Sequence, residues 1–470
     1  MSTSTPTSTS ISALSKLWNK NTDKVVEVMP EETMGPGRSI WQAAQHLLTA
    51  SGANIVAPIL MHLDPGMALF TSGVGTLIYT RLTGVPAYMG TSFSYIATIS
   101  YVMGASWGNQ GMVAGGIIVA GLVSILVGLL VRLIGFRWIN ILMPPIVLAM
   151  VVIAIGLLLA PTAYSMAMSN LPLALLTFVL GIVFATKFKQ GSVLSTLPVL
   201  LSIVIAYIIA LVLGQVDLSQ VIAAPLFILP RLVLPVFDLR ACIPMALVTV
   251  TAVLMEHLGH LQGTGSIVGR NYIPRASRSL IADGIANALS WSGTPSVTYG
   301  ENMGVFAITR VFSLRVMYIA GLLAMAAGFI GKLSPLILSI PSGILGGATF
   351  LLFGMIAWAG FNLLRTENVD MGKKSNQVMI ASMGTLMTAG IVVEFVRPIL
   401  SGIKPEDLAA APASLAAAVK TLQTFANGLR VGDFEMPALV GVALLGIVLN
   451  VILNWGQIVK EIRQTPEVKA

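Results

Sequence analysis

The stretch that decides the fold is Thr294–Arg310, which reads Thr-Pro-Ser-Val-Thr-Tyr-Gly-Glu-Asn-Met-Gly-Val-Phe-Ala-Ile-Thr-Arg. Pro295 blocks a helix and the next residues favour an extended chain, whereas apolar residues recur at helical spacing after Gly300. We therefore predict that a strand passes into a helix at Gly300. In hydrocarbon, the N–H groups freed by such a break are tolerated only beside a cavity or within protein. Glu301 lies at this helix start, either as part of a polar ligand site or as the cap of a strained loop.

The composition is that of a polytopic membrane protein. Of 470 residues, 56% are hydrophobic and 10% are charged, against about 25% charged residues in a soluble domain. Mean hydropathy is +0.87. The single Cys242 excludes a disulfide framework and a cysteine metal cluster. The formal charge of +8 does not indicate a nucleic-acid partner, because most basic residues fall in short loops on one face of the membrane.

The apolar runs predict an all-α membrane protein with about fourteen transmembrane segments. Several are shorter than the roughly 20 residues of a full span, notably the third and the tenth. The predicted bounds are 39–61, 66–82, 86–103, 111–135, 137–161, 170–188, 196–214, 239–262, 276–292, 294–312, 313–333, 343–364, 375–396 and 434–455.

The two short segments occupy corresponding places in two halves of seven segments, and an odd number per half makes the halves inverted. The third segment begins with Pro86, an extended piece and Gly90 before its helix. The tenth repeats this order from Pro295 to Asn302. Paired interrupted segments indicate the midplane site of a transporter. We therefore predict short strands in both segments and a ligand between them.

Loop charges predict that both termini lie in the cytoplasm. In that orientation, 20 of the 27 Lys and Arg residues fall on the inner side and seven on the outer side. Residues 1–38 contain no apolar core of signal-peptide length and are predicted to be a mobile cytoplasmic tail. Residues 397–433 are predicted to be an external loop with one amphipathic helix over Leu408–Leu422.

Ionisable residues within the eighth segment indicate a candidate functional site. Glu256 and His260 are four residues apart and share one helix face. An ionisable residue within a span costs roughly 2.5–3.5 kcal/mol on insertion scales, so its presence calls for a purpose. A carboxylate beside an imidazole can hold or pass a proton, and the alternative is a structural polar pair between helices. His257 points about 100° away on the helix and is predicted to be structural.

Two other patterns have competing interpretations. An i, i+4 Glu/His pair could suggest zinc, but the order Glu-His-Leu-Gly-His differs from the metalloprotease signature, so no metal is expected. Gln45 and His46 of the first segment could serve a ligand or simply hydrogen-bond a neighbouring helix. Beyond a coupling ion, we expect no cofactor.

Together these residues resemble the nucleobase/ascorbate transporter family, and most closely its bacterial uracil permeases. The resemblance spans roughly residues 39–455, and the tail and the 397–433 insertion depart from the usual bacterial pattern. The motifs that carry it are Gln45-His46, Glu256-His-Leu-Gly-His260, Tyr299-Gly-Glu-Asn302 and Glu301-Asn-Met-Gly-x-x-x-x-Thr309-Arg310.

The resemblance implies a core domain and a gate domain, each built from two parts of the chain. The core would comprise residues 39–135 and 239–340, holding segments 1–4 and 8–11. The gate would comprise residues 136–238 and 341–470, holding segments 5–7 and 12–14 with the C-terminal tail. The family also implies homodimers through the gate domain and a multi-pass place in the bacterial inner membrane.

The resemblance further implies roles for single residues. Glu256 and Glu301 would accept hydrogen bonds from a pyrimidine ring, and the backbone N–H groups of Phe93 and Gly300 would meet its carbonyls. His260 would be tied to proton coupling. The remaining members of the polar network would be Gln45, His46, Thr91 and Asn302.

Uracil fits these residues chemically. It offers two N–H donors and two carbonyl acceptors, which two carboxylates and two backbone amides satisfy. Phe93 or Tyr299 could cover the ring face. Thr91 stands where a serine is expected, so its part stays open. We expect a proton-coupled uracil symporter that works by alternating access.

Three alternatives remain for the function. The nearest is a purine or xanthine carrier of the same family, which a glutamate at 301 after Tyr-Gly disfavours. An anion carrier of the same inverted-repeat build would have no need of two buried carboxylates. A membrane-embedded enzyme would require covalent turnover of its substrate, and we expect no enzyme. Coupling to sodium in place of protons stays open.

Overall fold

The computed structural model describes residues 27–188, 193–401, 429–431 and 434–464, with isolated positions between 403 and 419. The tail up to residue 26 and most of the helix predicted over Leu408–Leu422 lie outside the described residues. The described chain is mainly helical, with two pairs of short strands.

The first half of the described chain runs from α1 to α11. Many of its helices begin at a proline, which has no N–H group to satisfy, or at a polar residue whose side chain accepts a hydrogen bond from a first-turn N–H group. The Asp64 side chain, for example, accepts a hydrogen bond from the N–H of Met67 at 2.6 Å. In chain order the elements are α1 (Pro36–Leu60), α2 (Pro65–Thr83), β1 (Met89–Thr91), α3 (Ile96–Gly104), α4 (Gln110–Ile134), α5 (Arg137–Leu142), α6 (Pro145–Leu158), α7 (Ala160–Met168), α8 (Leu171–Lys187), α9 (Val193–Thr196), α10 (Pro198–Val212) and α11 (Ser219–Ala223).

The second half runs from α12 to α20 and contains the eighth and tenth predicted segments. A π-helical turn over Thr249–Val253 joins α12 to α13. In chain order the elements are α12 (Leu239–Val248), α13 (Leu254–Val268), α14 (Ala276–Leu289), β2 (Ser296–Thr298), α15 (Gly300–Thr309), α16 (Leu314–Gly328), α17 (Leu333–Leu338), α18 (Ser342–Thr366), α19 (Lys374–Ser401), β3 (Leu429–Val431), β4 (Phe434–Met436) and α20 (Ala438–Gln464).

Helices lie within all of the predicted apolar segments. Among the described residues, six helical stretches are long and apolar enough to cross a membrane. The outward apolar side chains fit lipid contact, such as Leu133 and Val212, which are 80% and 83% exposed. A mainly helical membrane fold is confirmed. The count of fourteen spans and their inverted arrangement stay predictions.

The interrupted third and tenth segments meet in a two-stranded ribbon. β1 pairs antiparallel with β2, with Met89 opposite Thr298 and Thr91 opposite Ser296. All residues of both strands are buried. The ladder satisfies backbone groups that a broken helix would leave open in the bilayer. The strands predicted in these two segments are therefore confirmed.

The helices pack in two groups through small residues. A Cβ atom on Gly121 of α4 would lie 2.5 Å from the backbone oxygen of Gly284 of α14, so these helices touch backbone to backbone. Gly360 of α18 meets Ala149 of α6 in the same manner. One group comprises α1–α4 with α12–α16, and the other α6–α8 and α10 with α18–α20. The division of the chain into a core domain and a gate domain stays a prediction.

A segment ahead of α1 is strapped onto the first group. The N–H of Val28 donates to the backbone oxygen of Arg310 at 3.0 Å, and the N–H of Phe312 donates to that of Val28 at 2.8 Å. The guanidinium of Arg270 donates to both oxygens of Glu31 at 2.5 and 2.9 Å. Val28 is buried. The mobile tail predicted for residues 1–38 therefore does not include this stretch.

Candidate functional site

Glu256 lies in the first turn of α13, directly after the π-helical turn over Thr249–Val253. Pro244 lies inside the preceding helix α12 and lacks the N–H that a regular helix would use. π-Helical turns within helices are frequent at functional sites, since they change the direction in which the next side chains point. No feature of the sequence analysis predicted this turn.

The carboxylate of Glu256 is held by two serines that the sequence analysis missed. The hydroxyl of Ser92 donates to Glu256 Oε2 at 3.2 Å, and the hydroxyl of Ser94 donates to the same oxygen at 2.8 Å. Both serines lie between β1 and α3. Because both bonds use Oε2, they fix the carboxylate while Oε1 can accept from a ligand.

Two helix starts flank the strand ribbon. A 3₁₀ turn over Phe93–Tyr95 follows β1 and leads into α3, and α15 begins at Gly300 directly after β2 and Tyr299. Since the strands are antiparallel, these helix starts lie at opposite ends of the ribbon. Each presents first-turn N–H groups that have no partner within the helix. The roles that the resemblance implies for the N–H groups of Phe93 and Gly300 stay predictions.

His260 is packed against the start of α15. Its Nδ1 lies 3.4 Å from the hydroxyl of Thr298 in β2. A Cβ atom on Gly300 would lie 3.1 Å from His260 Nε2, so glycine is what lets the imidazole approach this turn. The histidine therefore contacts the element that carries Glu301, while it shares a helix with Glu256.

Two cavities reach the site from different sides. The larger, of about 1070 Å³, is lined by Phe93 and Ser94 together with the end of α1 and the start of α20. The smaller, of about 210 Å³, is lined by Glu301 and parts of α1, α10 and α18. Phe93 contacts Phe353 of α18 edge to face with ring centroids 6.0 Å apart. Phe93 lines the larger cavity, and Leu352 and Met355, near Phe353 in α18, line the smaller one.

Tyr299 and Thr91 brace the ribbon. The Tyr299 hydroxyl donates to Asn54 Oδ1 and to the backbone oxygen of Thr91, both at 2.9 Å. The Thr91 N–H also donates to Asn54 Oδ1, at 3.0 Å, and its hydroxyl lies 2.7 Å from that of Thr294. The Tyr299 ring packs on Gly90, where any Cβ atom would collide with it. Both residues thus hold the broken segments together and tie them to α1.

His46 and Asn302 form a second brace on α1. Asn302 Nδ2 donates to His46 Nδ1 at 2.9 Å and to the His46 backbone oxygen at 3.0 Å. The His46 ring lies against Phe306 with centroids 4.7 Å apart. Gln45 is buried beside His46 in the same helix. This brace fixes the first turn of α15, in which Glu301 lies.

Comparison with known proteins identifies the family. The model of the Permease family, Xan_ur_permease, matches residues 37–397. The chain belongs to this permease family. The permease is 39% identical over 394 residues to the uracil permease of Bacillus caldolyticus, an alignment that covers 79% of this chain and 89% of that protein. It is 38% identical over 377 residues to the uracil permease of Bacillus subtilis, covering 74% and 85%.

Solved structures share the fold of the permease. The transmembrane domain of the cyanobacterial bicarbonate transporter BicA superimposes with a TM-score of 0.60 at 17% identity, covering 79% of this chain and 99% of that one. The murine anion transporter Slc26a9, in its inward-facing state, gives a TM-score of 0.52 at 13% identity, covering 91% and 74%. At these identities the likeness concerns the fold alone. The family and the curated relatives indicate a multi-pass membrane transporter rather than an enzyme.

Proposed function

We propose that the permease is a proton-coupled uracil symporter that works by alternating access. The observation that carries the proposal is the placement of two half-buried carboxylates, Glu256 in the first turn of α13 and Glu301 in the first turn of α15. Uracil permeases are among the relatives that cover most of the chain, which supports the same substrate class.

Hydrogen bonding supports uracil as the ligand. Glu256 Oε1 would accept one ring N–H, and Glu301 would accept the other. The N–H groups at the starts of the two half-helices, at Phe93 and Gly300, would donate to the two carbonyls. Phe93 is the ring cover that we propose, because the Tyr299 hydroxyl is tied to Asn54 and Thr91.

An anion substrate fits the same site poorly. Two carboxylates facing a ligand space repel an anion, and burial strengthens that repulsion because the local dielectric constant is low. Neutral uracil meets them through hydrogen-bond donors. We therefore favour the nucleobase over the substrate class of the structural neighbours, and uracil over a purine.

Alternating access is supported by the two cavities, one lined by Phe93 and the other by α18 residues near Phe353. The larger cavity is lined by the end of α1 and the start of α20, so it lies on the side away from the chain termini. With both termini in the cytoplasm, this side is external. Rocking of the second helix group against the first would open the site to one side at a time. We further propose that the permease resides in the cell membrane as a homodimer through the second helix group.

The test is uptake of radiolabelled uracil into proteoliposomes with pH and sodium gradients imposed separately. We expect accumulation above the external concentration with an acidic outside alone, and intact uracil in the lumen. Accumulation with a sodium gradient alone would move the coupling to sodium. If radiolabelled uracil is not taken up and radiolabelled xanthine is, the substrate assignment is overturned.

A further inference from the structure

A second cluster of buried polar groups lies away from the candidate site, between α2, α4, α13 and α14. Its centre is His257 of α13 and Asp283 of α14, whose side chains are 0% and 1% exposed. Nδ1 of His257 lies 3.4 Å from Oδ1 of Asp283. Neither the proposed uracil contacts nor the predicted coupling histidine, His260, makes use of this pair.

Hydroxyl groups surround the pair. His257 Nε2 lies 2.8 Å from the hydroxyl of Ser279, which lies 2.6 Å from that of Tyr79. The Ser124 hydroxyl donates to Asp283 Oδ2 at 3.2 Å. Within the described residues, His257 Nδ1 and Asp283 Oδ1 have no hydrogen-bond partner, so each has only the other nearby. The imidazole nitrogen and the carboxylate oxygen that face each other across this distance can each take up a proton.

The network can accommodate the pair both with and without an added proton. When neutral His257 carries its ring hydrogen on Nδ1, facing Asp283, its Nε2 accepts from Ser279. When the ring takes up a proton, Nε2 donates to Ser279, and Ser279 can donate onward to Tyr79, since either hydroxyl can be the donor. Protonation thus reverses two hydroxyl hydrogens.

The charge of the pair depends on its protons. The pair carries one negative charge when His257 is neutral and Asp283 is ionised, and none when one more proton is bound. In the part of the chain that the structure describes, no lysine or arginine forms an ion pair with Asp283. The other titratable groups that interact with the pair are Tyr79, Tyr95 and Glu256 near Asp283, and His260 near His257.

One side chain links the pair to the ribbon. Asn287 Nδ2 donates to Asp283 Oδ2 at 3.3 Å and to the Ser296 backbone oxygen at 2.8 Å. The Ser296 N–H donates back to Asn287 Oδ1 at 2.7 Å. Ser296 begins β2, which leads through Thr298 to His260 and Gly300. A change in charge at Asp283 therefore acts on Asn287, and through it on the strand that positions the start of α15.

We propose that His257 and Asp283 form a second proton-binding site, coupled to the substrate site through Asn287 and β2. The inference rests on the proposed function, since it names where a driving proton would be held. In this proposal His257 is a functional residue, whereas the sequence predicted a structural role for it. By linkage, a proton that stabilises one arrangement of β2 must bind more tightly when the ligand favours that arrangement.

The experiment compares purified wild-type permease with Asp283→Asn and His257→Gln in proteoliposomes. Ser277→Ala is the matched control on α14, because the Ser277 hydroxyl donates to the backbone oxygen of Gly128 and touches neither the pair nor its hydroxyl partners. Three readouts are taken: exchange of radiolabelled uracil at equal pH, accumulation under an inward pH gradient, and uracil binding as a function of pH. We expect both variants to exchange uracil but to lose accumulation and to show a flattened pH profile. The control should keep all three.

Wild-type accumulation with unchanged pH profiles in both variants would overturn the inference. A parallel loss of exchange, binding and accumulation would assign the cluster a structural role and would overturn it as well. If neither variant folds, Ser124→Ala removes one donor to Asp283 and no titratable group, and it must shift the pH midpoint of binding. A wild-type permease without pH-driven uracil uptake would instead refute the proposed function.

Discussion

At Glu256 the two carboxylate oxygens have separate surroundings. Ser92 and Ser94 both donate to Oε2, so the side chain is oriented before any ligand arrives. Such orientation lowers the entropy that a ligand must remove on binding. Glu301 lies at a helix start, where the partial positive charge of the helix favours a carboxylate. The two glutamates therefore differ in how they are held, although we assign them the same kind of contact.

Replacing Glu301 by glutamine tests that contact. Glu301→Gln keeps the shape but replaces an acceptor-only group with one that also donates, so one substrate N–H loses its partner or meets another donor. We expect uracil binding to weaken by about 1–3 kcal/mol. Equilibrium binding to the purified variant measures this loss, with Glu367→Gln as a control at an exposed position. Wild-type affinity in Glu301→Gln would refute the contact.

Single residues differed in how well the sequence predicted them. Glu256, His260 and Glu301 are conspicuous because ionisable groups are rare and costly in a membrane span. Ser92 and Ser94 were missed, since serine also occurs in spans for helix packing and carries no charge to mark it. Their bond to Glu256 joins positions more than 160 residues apart, and no local pattern encodes such a contact.

At the scale of elements, α15 depends on a close approach of His260 to its first residue. In Gly300→Ala the new Cβ would lie 3.1 Å from His260 Nε2, so the imidazole must move away. We expect uracil uptake to fall at least several-fold while thermal stability changes little. Gly259→Ala is the control beside His260, because its Cβ would meet nothing closer than 3.9 Å. Equal uptake by the two variants would show that this approach is not needed.

The strap ahead of α1 has a pH dependence that can be measured. Two hydrogen bonds from Arg270 lower the pKa of Glu31 below its ordinary value of 4.5. A lowered pKa in the folded state means that the ion pair stabilises fully above pH 4.5 and is lost as the pH falls through the lowered value. Because Glu31 is largely exposed, we expect a contribution of only about 0–1 kcal/mol.

Thermal unfolding of the purified permease between pH 3 and pH 7 checks this expectation. Glu31→Gln should lose stability relative to wild type above about pH 4.5 and should match it at the acid end. Glu367→Gln, whose partner Gln262 is neutral, should show no such difference. A constant gap between Glu31→Gln and wild type at all pH values would contradict the assigned role of the ion pair.

Elements with strong local signals were predictable. Pro86, Gly90 and Pro295 interrupt apolar runs, and the structure places paired strands there. The π-helical turn before Glu256 and the strap at Val28 were not predicted. The first leaves apolar periodicity almost unchanged, and the second is held by loop backbone contacts to Arg310 and Phe312 that only the tertiary fold creates.

At the scale of the whole molecule, coupling requires that proton binding and the orientation of the helix groups depend on each other. His260 contacts the start of α15, so its charge acts on the ligand site directly. We expect His260→Ala to lose pH-driven accumulation of uracil while exchange survives in part, whereas Glu256→Ala should lose both. Uptake by proteoliposomes measures each property. Accumulation by His260→Ala with wild-type pH dependence would make this histidine structural.

The order of the helical segments and the place of the two interrupted segments were predictable from the sequence. Both depend on the length of an apolar run and on the prolines and glycines that interrupt it, which are local properties. The two packing groups arise from backbone contacts such as Gly121 to Gly284, where glycine abundance alone did not indicate the partner. The cavities near the Phe93–Phe353 contact depend on how the two helix groups pack against each other. A pattern in the sequence does not record that packing.

The most direct test of the two-carboxylate site is competition for radiolabelled uracil binding by analogues that each lack one ring N–H. If Glu256 and Glu301 each accept one N–H, then 1-methyluracil and 3-methyluracil must both compete poorly, because each leaves a buried carboxylate without its donor. A 5-halogenated uracil keeps both donors and should compete as well as uracil. Equal competition by uracil and both methylated analogues would contradict the site.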